Sequence, residues 1–163
     1  AAAARRVKRQ QKDLALVVVD YLQLIEPDNS SDPRQEQVAR IARRMKGLAK
    51  ELKVPVVCLA QLNRQAEDSR DHRPKLSHLR ESGAIEQDAD VVMFVHRKGY
   101  YRGSEDGGDS EEERNKALII VAKQRNGPID DVEMTWVGEY TRFEDAAPER
   151  FGEFDQMQAV DFG

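Results

Sequence analysis

LALVVVDYLQLI, Leu14 to Ile25, is the stretch on which the reading of this chain turns. Five of its first six residues are Leu or Val, and the run then meets an acid, Asp20. A continuous Leu/Val run suits a parallel strand buried on both faces. Open α/β sheets take their ligands at the C-terminal ends of such strands. An acid placed there can hold Mg²⁺ on a bound nucleotide, which is the Walker B pattern. The same residues also read as a core strand that ends at a solvated Asp.

The sequence on either side extends the unit. After Ile25 comes a polar loop, EPDNSSDP. Asp32 reads as a helix N-cap, Pro33 as the first helical residue and Gln35 as the partner in a capping box. Val38, Ile41, Ala42, Met45, Leu48, Ala49 and Leu52 recur at spacings of three and four, which predicts a helix to about Leu52 with one buried face. Val54 to Ala60, VPVVCLA, reads as a second buried strand, with Gln61 just beyond it. Strand, helix, strand in this order is a right-handed parallel crossover. Asp20 and Gln61 should then share one edge of the sheet. Upstream, AAAARRVKRQQKD reads as a basic helix feeding into the first strand.

Farther along, residues 64–78 are polar and read as a loop over that edge. Leu79 to Asp90 holds Gly83 and a short helix, and Val91 to Val95 is a third apolar run. Lys116 to Lys123 is a fourth strand, followed by the turn residues Asn126, Gly127 and Pro128. Val132 to Val137 alternates, and Tyr140 to Phe143 can extend the pairing. An antiparallel hairpin is expected, with Lys123, Gln124 and Arg125 at its bend. The tail from Glu144 shows neither period and is expected to be disordered.

Composition bounds the function. Charged residues are 34% of the 163 and aromatics 6%, which fits a soluble domain with a charged surface. No apolar run approaches the ~20 residues of a membrane span, and no signal pattern opens the sequence. The single cysteine, Cys58, lies in an apolar run and reads as core, and a reducing cytoplasm is the simplest setting. His72, His78 and His96 show no zinc-ligand spacing with it. Residues 103–114 and 144–163 each carry six acids and one base, so the rest of the chain is basic despite a net charge of −4. A basic body with acidic appendages can bind a polyanion.

The stretches ARRVKRQQ, LVVVDYLQLI, LAQLNR, LRESGAIEQDADVV and KQRNGP, in this order, resemble the motor domain of replicative hexameric DNA helicases of the DnaB family. The resemblance spans roughly residues 4 to 143. It implies an α/β fold of RecA-like type, a mostly parallel sheet flanked by helices, with an antiparallel hairpin near the C-terminus. Residues 1–143 would be the C-terminal portion of that ATPase domain, and 144–163 an acidic tail. It also implies a ring of identical subunits with ATP and Mg²⁺ at each interface, acting on single-stranded DNA during replication. Primase and a helicase loader would be its partners. By this resemblance Asp20 is the Walker B acid at the Mg²⁺ site, and Gln61 senses the γ-phosphate. Lys123 and Arg125 reach a neighbour's ATP, with Arg125 as the arginine finger, and Arg80, Glu81 and Gly83 line the DNA channel.

Bland roles stand beside each of these. Gln61 could cap the next turn, Arg80 and Glu81 could pair with each other, and Lys123 and Arg125 could be ordinary hairpin charges. Other relatives of RecA, of recombinase or circadian type, fit LRESGAIEQDAD and KQRNGP less well. A non-catalytic module that binds DNA or a partner is the alternative function.

No G-x-x-x-x-G-K-[ST] occurs in the 163 residues. The chain is therefore expected to correspond to the second half of a motor domain. By itself it should neither hold ATP tightly nor hydrolyse it, since Asp20 alone offers Mg²⁺ too little. Calorimetric titration with Mg-ATP checks this, and micromolar binding would overturn it.

Overall fold

The computed structural model describes residues 1–11, 13–27, 29–63, 72–101 and 114–146, and of residues 80–82, 98 and 101 the backbone alone. The acidic stretch 102–113, residues 64–71 of the polar loop and the tail from 147 lie outside the described residues.

Strand β1 (Val17–Val19) pairs in parallel with β2 (Val56–Cys58), Val17 opposite Val56 and Val19 opposite Cys58. The pairing continues past both strands. Val17 N–H donates to Pro55 O at 3.0 Å, and Leu59 N–H donates to Val19 O at 2.9 Å. Between them runs α2 (Arg34–Leu52), which buries Val38, Ile41, Ala42, Met45, Leu48 and Leu52 on one face. The expected strand–helix–strand unit is present. Ile41, 1% exposed, joins Leu22, Val38 and Met45 in a cluster that packs on Val19, Val56 and Cys58. Burial pushes the Cys58 thiol above its usual range, as for a core residue.

Two local expectations are corrected. Asp32 does not cap α2. Pro33 takes the capping position, and the Asp32 carboxylate instead accepts from Asn29 Nδ2 at 2.9 Å and pairs with Arg40 at 2.6 Å. An arginine two turns along the helix outcompetes a neutral backbone N–H for the carboxylate. Nor is β1 buried on both faces, because α2 covers only one. Leu16, Val18, Val57 and Leu59 remain 39–59% exposed. The helix ends where Lys53 turns left-handed, at φ 54° and ψ 43°.

Helix α1 (Ala2–Gln10) buries no residue of its own. Arg5 fastens it to α2 through two parallel hydrogen bonds of 2.8 Å to Glu51. That hydrogen bond holds the Glu51 carboxyl below its usual range and raises the Arg5 guanidinium.

The second sheet has the order β3 (Val91–His96), β4 (Lys116–Gln124), β5 (Asp131–Val137) and β6 (Arg142–Asp145). All of its pairs are antiparallel. The expectation of a mostly parallel sheet is corrected to this extent. Among the described strands one pair is parallel and three are antiparallel, so the antiparallel part is larger than one hairpin. The third apolar run alternates, burying Val92 and Phe94 with Leu79 and Ile120 while Val91, Met93 and Val95 face outward. Strand β6 carries Glu144 and Asp145, read above as the start of the acidic tail, into the sheet.

Strand β4 changes character along its length. Lys116 to Ile120 pair with β5 on one side, ending at Ile120 opposite Asp131. Val121 N–H still donates to Asp130 O at 2.8 Å. Beyond it, Lys123 and Gln124 pair only with β3, opposite Val92 and Val91. Lys123 is thus not at the bend as expected but inside a strand, because β3 prolongs the ladder past the end of β5. Arg125 does stand at the turn.

Candidate functional site

Asp20 directly follows β1, and Gln61 follows β2, so the two share one edge of the parallel pair. Both are exposed. The chain leaves Asp20 through a cis Asp20–Tyr21 peptide and a single helical turn, Leu22–Leu24. That turn joins the two strand ends. Leu22 N–H donates to Leu59 O at 2.8 Å, and Gln23 Nε2 donates to Gln61 O at 3.3 Å. Gln23 Oε1 in turn lies 3.5 Å from Gln61 N–H. Sequence reasoning missed Gln23. Nothing in a Leu-Gln-Leu run marks its middle residue as a brace, and only the fold brings it to Gln61.

The Asp20 carboxylate makes no hydrogen bond or ion pair with another described residue. An uncommitted carboxylate at a fixed strand end fits a hard cation. Among the described residues no three His, Cys, Asp or Glu side chains gather as a ligand set. Asp20 would therefore hold Mg²⁺ only together with nucleotide and water oxygens. The Gln61 amide can donate to phosphate and accept from water.

Lys123 and Arg125 meet at a different place. Helix α3 (Gly83–Asp88) ends beside β4, with its last carbonyls exposed to any nearby donor. Lys123 Nζ donates to Glu86 O, and to Gln87 O at 3.3 Å. Arg125 Nη2 donates to Gln87 O at 2.6 Å. Cations at a helix C-terminus are favourably placed. Asp90, just past α3, accepts from Lys46 of α2, and its carbonyl accepts Arg125 N–H at 2.9 Å. The Lys46 hydrogen bond holds the Asp90 carboxyl below the usual range, with the charges of Lys46, Arg125 and Lys123 acting in the same direction. No described hydrogen bond or ion pair links Lys123 or Arg125 to Asp20 or Gln61.

The third group lies between these sets in the chain. Arg80 and Glu81 belong to a 3₁₀ stretch, Leu76–Ser82, that runs into α3 at Gly83; their side chains lie outside the described atoms. The segment is pinned at both ends. Leu79 is buried in the core of the second sheet, and Ile85 packs against the cluster under α2. At Gly83 neither the backbone (φ −50°) nor crowding calls for glycine, since a Cβ there would meet nothing within 4 Å.

A family model described as the DnaB-like helicase C-terminal domain matches residues 1–145. The chain is 48% identical over 147 residues to the replicative DNA helicase DnaB of Haemophilus influenzae, covering 90% of this chain and 30% of that protein. It is 46% identical over 143 residues to the DnaB of Geobacillus stearothermophilus, covering 87% and 30%. The fold is similar to the solved structure of a DnaB-like replicative helicase described with its interactions with primase. There the TM-score is 0.81 and the identity 41%, over 90% of this chain and 34% of the other. A second solved structure, described as an ATPase domain, matches with the same TM-score of 0.81 and 41% identity, over 90% of this chain and 50% of that one. The chain thus spans about 30% of the length of the curated relatives it matches.

Proposed function

The chain belongs to the DnaB-like helicase C-terminal domain family, and on that premise we propose that it forms part of a motor that couples ATP hydrolysis to movement along single-stranded DNA. The observation that carries the reading is the edge of the parallel pair. There Asp20, with an uncommitted carboxylate, and Gln61 end neighbouring strands, and Gln23 ties the turn after Asp20 to the Gln61 backbone. Bound Mg-ATP supplies the phosphoanhydride whose cleavage drives the motor. Asp20 would help hold the Mg²⁺, whose charge would stabilise the phosphates, and Gln61 would contact the terminal phosphate. Lys123 and Arg125 approach the phosphates held by a neighbouring subunit, so a ring of identical chains completes the site. A guanidinium on a turn is a preformed fork for phosphate oxygens.

The segment Arg80–Gly83 faces the DNA in this reading. Open space at Gly83 admits a phosphate backbone, and backbone N–H groups can meet it. Primase and a loader, as partners of the whole ring, and a cytoplasmic setting belong to the same proposal. No described helix is long and apolar enough to cross a membrane.

Arg80→Ala tests the DNA arm in a protein of the relatives' full length carrying this chain. Affinity for single-stranded DNA should fall, and the slope of log K against log salt should shrink by about 0.7 for one lost phosphate contact. An unchanged slope and affinity would return Arg80 to the ordinary surface. DNA binding with no ATPase activity in that parent protein would favour the non-catalytic module instead.

A further inference from the structure

Asp90 faces basic side chains from two elements and a turn. Lys46 of α2 donates to Oδ2. Arg125, on the turn after β4, brings Nη1 to 3.8 Å from Oδ1. Lys123 of β4 adds its charge to the same field. The Asp90 backbone takes part as well, since its carbonyl receives the Arg125 N–H at 2.9 Å. One residue therefore fixes the backbone of Arg125 and faces its guanidinium.

The division of labour between the two carboxylate oxygens matters. Lys46 donates to Oδ2, and Oδ1 is the oxygen that faces Arg125. The 3.8 Å contact with Oδ1 is a charge contact, too long for a hydrogen bond. Arg125 spends one described side-chain hydrogen bond on Gln87 O, and its guanidinium has five N–H donors. An exposed arginine otherwise samples many rotamers. Here it is held to one side of the turn with most of its donors uncommitted.

We propose that Asp90 is the positioning residue for Arg125, setting the orientation from which the guanidinium meets phosphate bound by the neighbouring subunit. The inference rests on the finger role of Arg125 proposed above. The competing role is structural: Asp90 could serve only to tie α2 to the end of α3 through Lys46.

The test uses a ring-forming protein of the relatives' full length, with Asp90→Asn, Asp90→Glu, Lys46→Met and Arg125→Ala made in parallel. Asp90→Asn should lower kcat for ATP about tenfold, inside the roughly hundredfold cost of a 1 Å misplacement, with KM, nucleotide affinity and melting temperature at parental values. Asp90→Glu, which keeps the charge, should recover kcat to within about threefold of the parent. Lys46→Met removes the structural pair alone and should stay within about twofold. Parental kcat in Asp90→Asn overturns the proposal. So does an equal loss in Lys46→Met accompanied by a lower melting temperature, which would make the role structural. Should Asp90→Asn fail to assemble, Asp90→Ser is read by the same criteria. Arg125→Ala separates the two levels. Its loss of turnover beside an unaffected Asp90→Asn sinks only this inference, whereas parental turnover in Arg125→Ala sinks the finger reading itself.

Discussion

Arg125→Ala, in a protein of the relatives' full length, should lower ATP turnover by roughly 10³–10⁵, the range measured for fingers supplied by a neighbour in other NTPases, with folding and nucleotide binding expected to hold. The arginine is exposed, and the side-chain contacts it loses are one hydrogen bond to Gln87 O and a 3.8 Å charge contact with Asp90. Contacts of this kind at the surface are worth about 1 kcal/mol or less. The guanidinium is turned toward the end of α3 and has no described contact with Asp20 or Gln61 of its own chain. A neighbour's phosphates are the target proposed for it. Mixing Arg125→Ala with a phosphate-loop variant makes the sharper measurement. In mixed rings an intact phosphate loop can face an intact Arg125, so activity should return although each parent ring is inactive. If mixed rings form and activity stays at the parental floor, the trans assignment loses its support.

Ile41→Ala should cost about 2–5 kcal/mol of folding stability. Ile41 is the largest side chain that is fully buried among the described residues. It sits where α2 meets β1 and β2, in a cluster with Leu22, Val38 and Met45. A two-stranded sheet of three residues a side has little stability of its own. Its packing under α2 is what holds it. Against the ~5–15 kcal/mol of a typical domain the loss is large, and a urea titration should show a lower midpoint at unchanged slope. Arg43→Ala, on the exposed face of the same helix, should stay within about 0.5 kcal/mol. A shift below about 1 kcal/mol for Ile41→Ala would mean that this cluster does not carry the sheet.

The α2 stripe was legible because burial of one helix face leaves a period of three to four in the sequence. Of the apolar residues read from that period, only Ala49 escapes full burial. The crossover was legible for the same reason, and it put Asp20 and Gln61 on one edge without further information. What the sequence hid depends on contacts between distant segments. The cap at Asp32 looked local, yet Arg40 claims the carboxylate. The apolar run VVMFV shows no alternation in sequence, but its pairing with β4 leaves alternate residues outward. Lys123 and Arg125 could be singled out as cations near a turn. That they grip the end of α3 could not, because Glu86 and Gln87 contribute only carbonyls, which every residue has.

The outer part of β4 can also be considered as a mechanical member. Past Val121 it is hydrogen-bonded along one edge only, to β3 and at its end to Asp90 O, so it resembles a plank supported along one side. Arg125 is its tip, four residues out, or about 13 Å at the ~3.3 Å rise of a strand. Tilting this part of β4 together with β3 by about 5° would swing the guanidinium by about 1 Å, a displacement on the scale that changes a rate about a hundredfold. The bonds from Lys123 and Arg125 to Glu86 O and Gln87 O act as stays on it, anchored in α3, the helix that follows the segment proposed to face DNA. Tension in those stays and deflection at the tip are then one displacement felt at both ends.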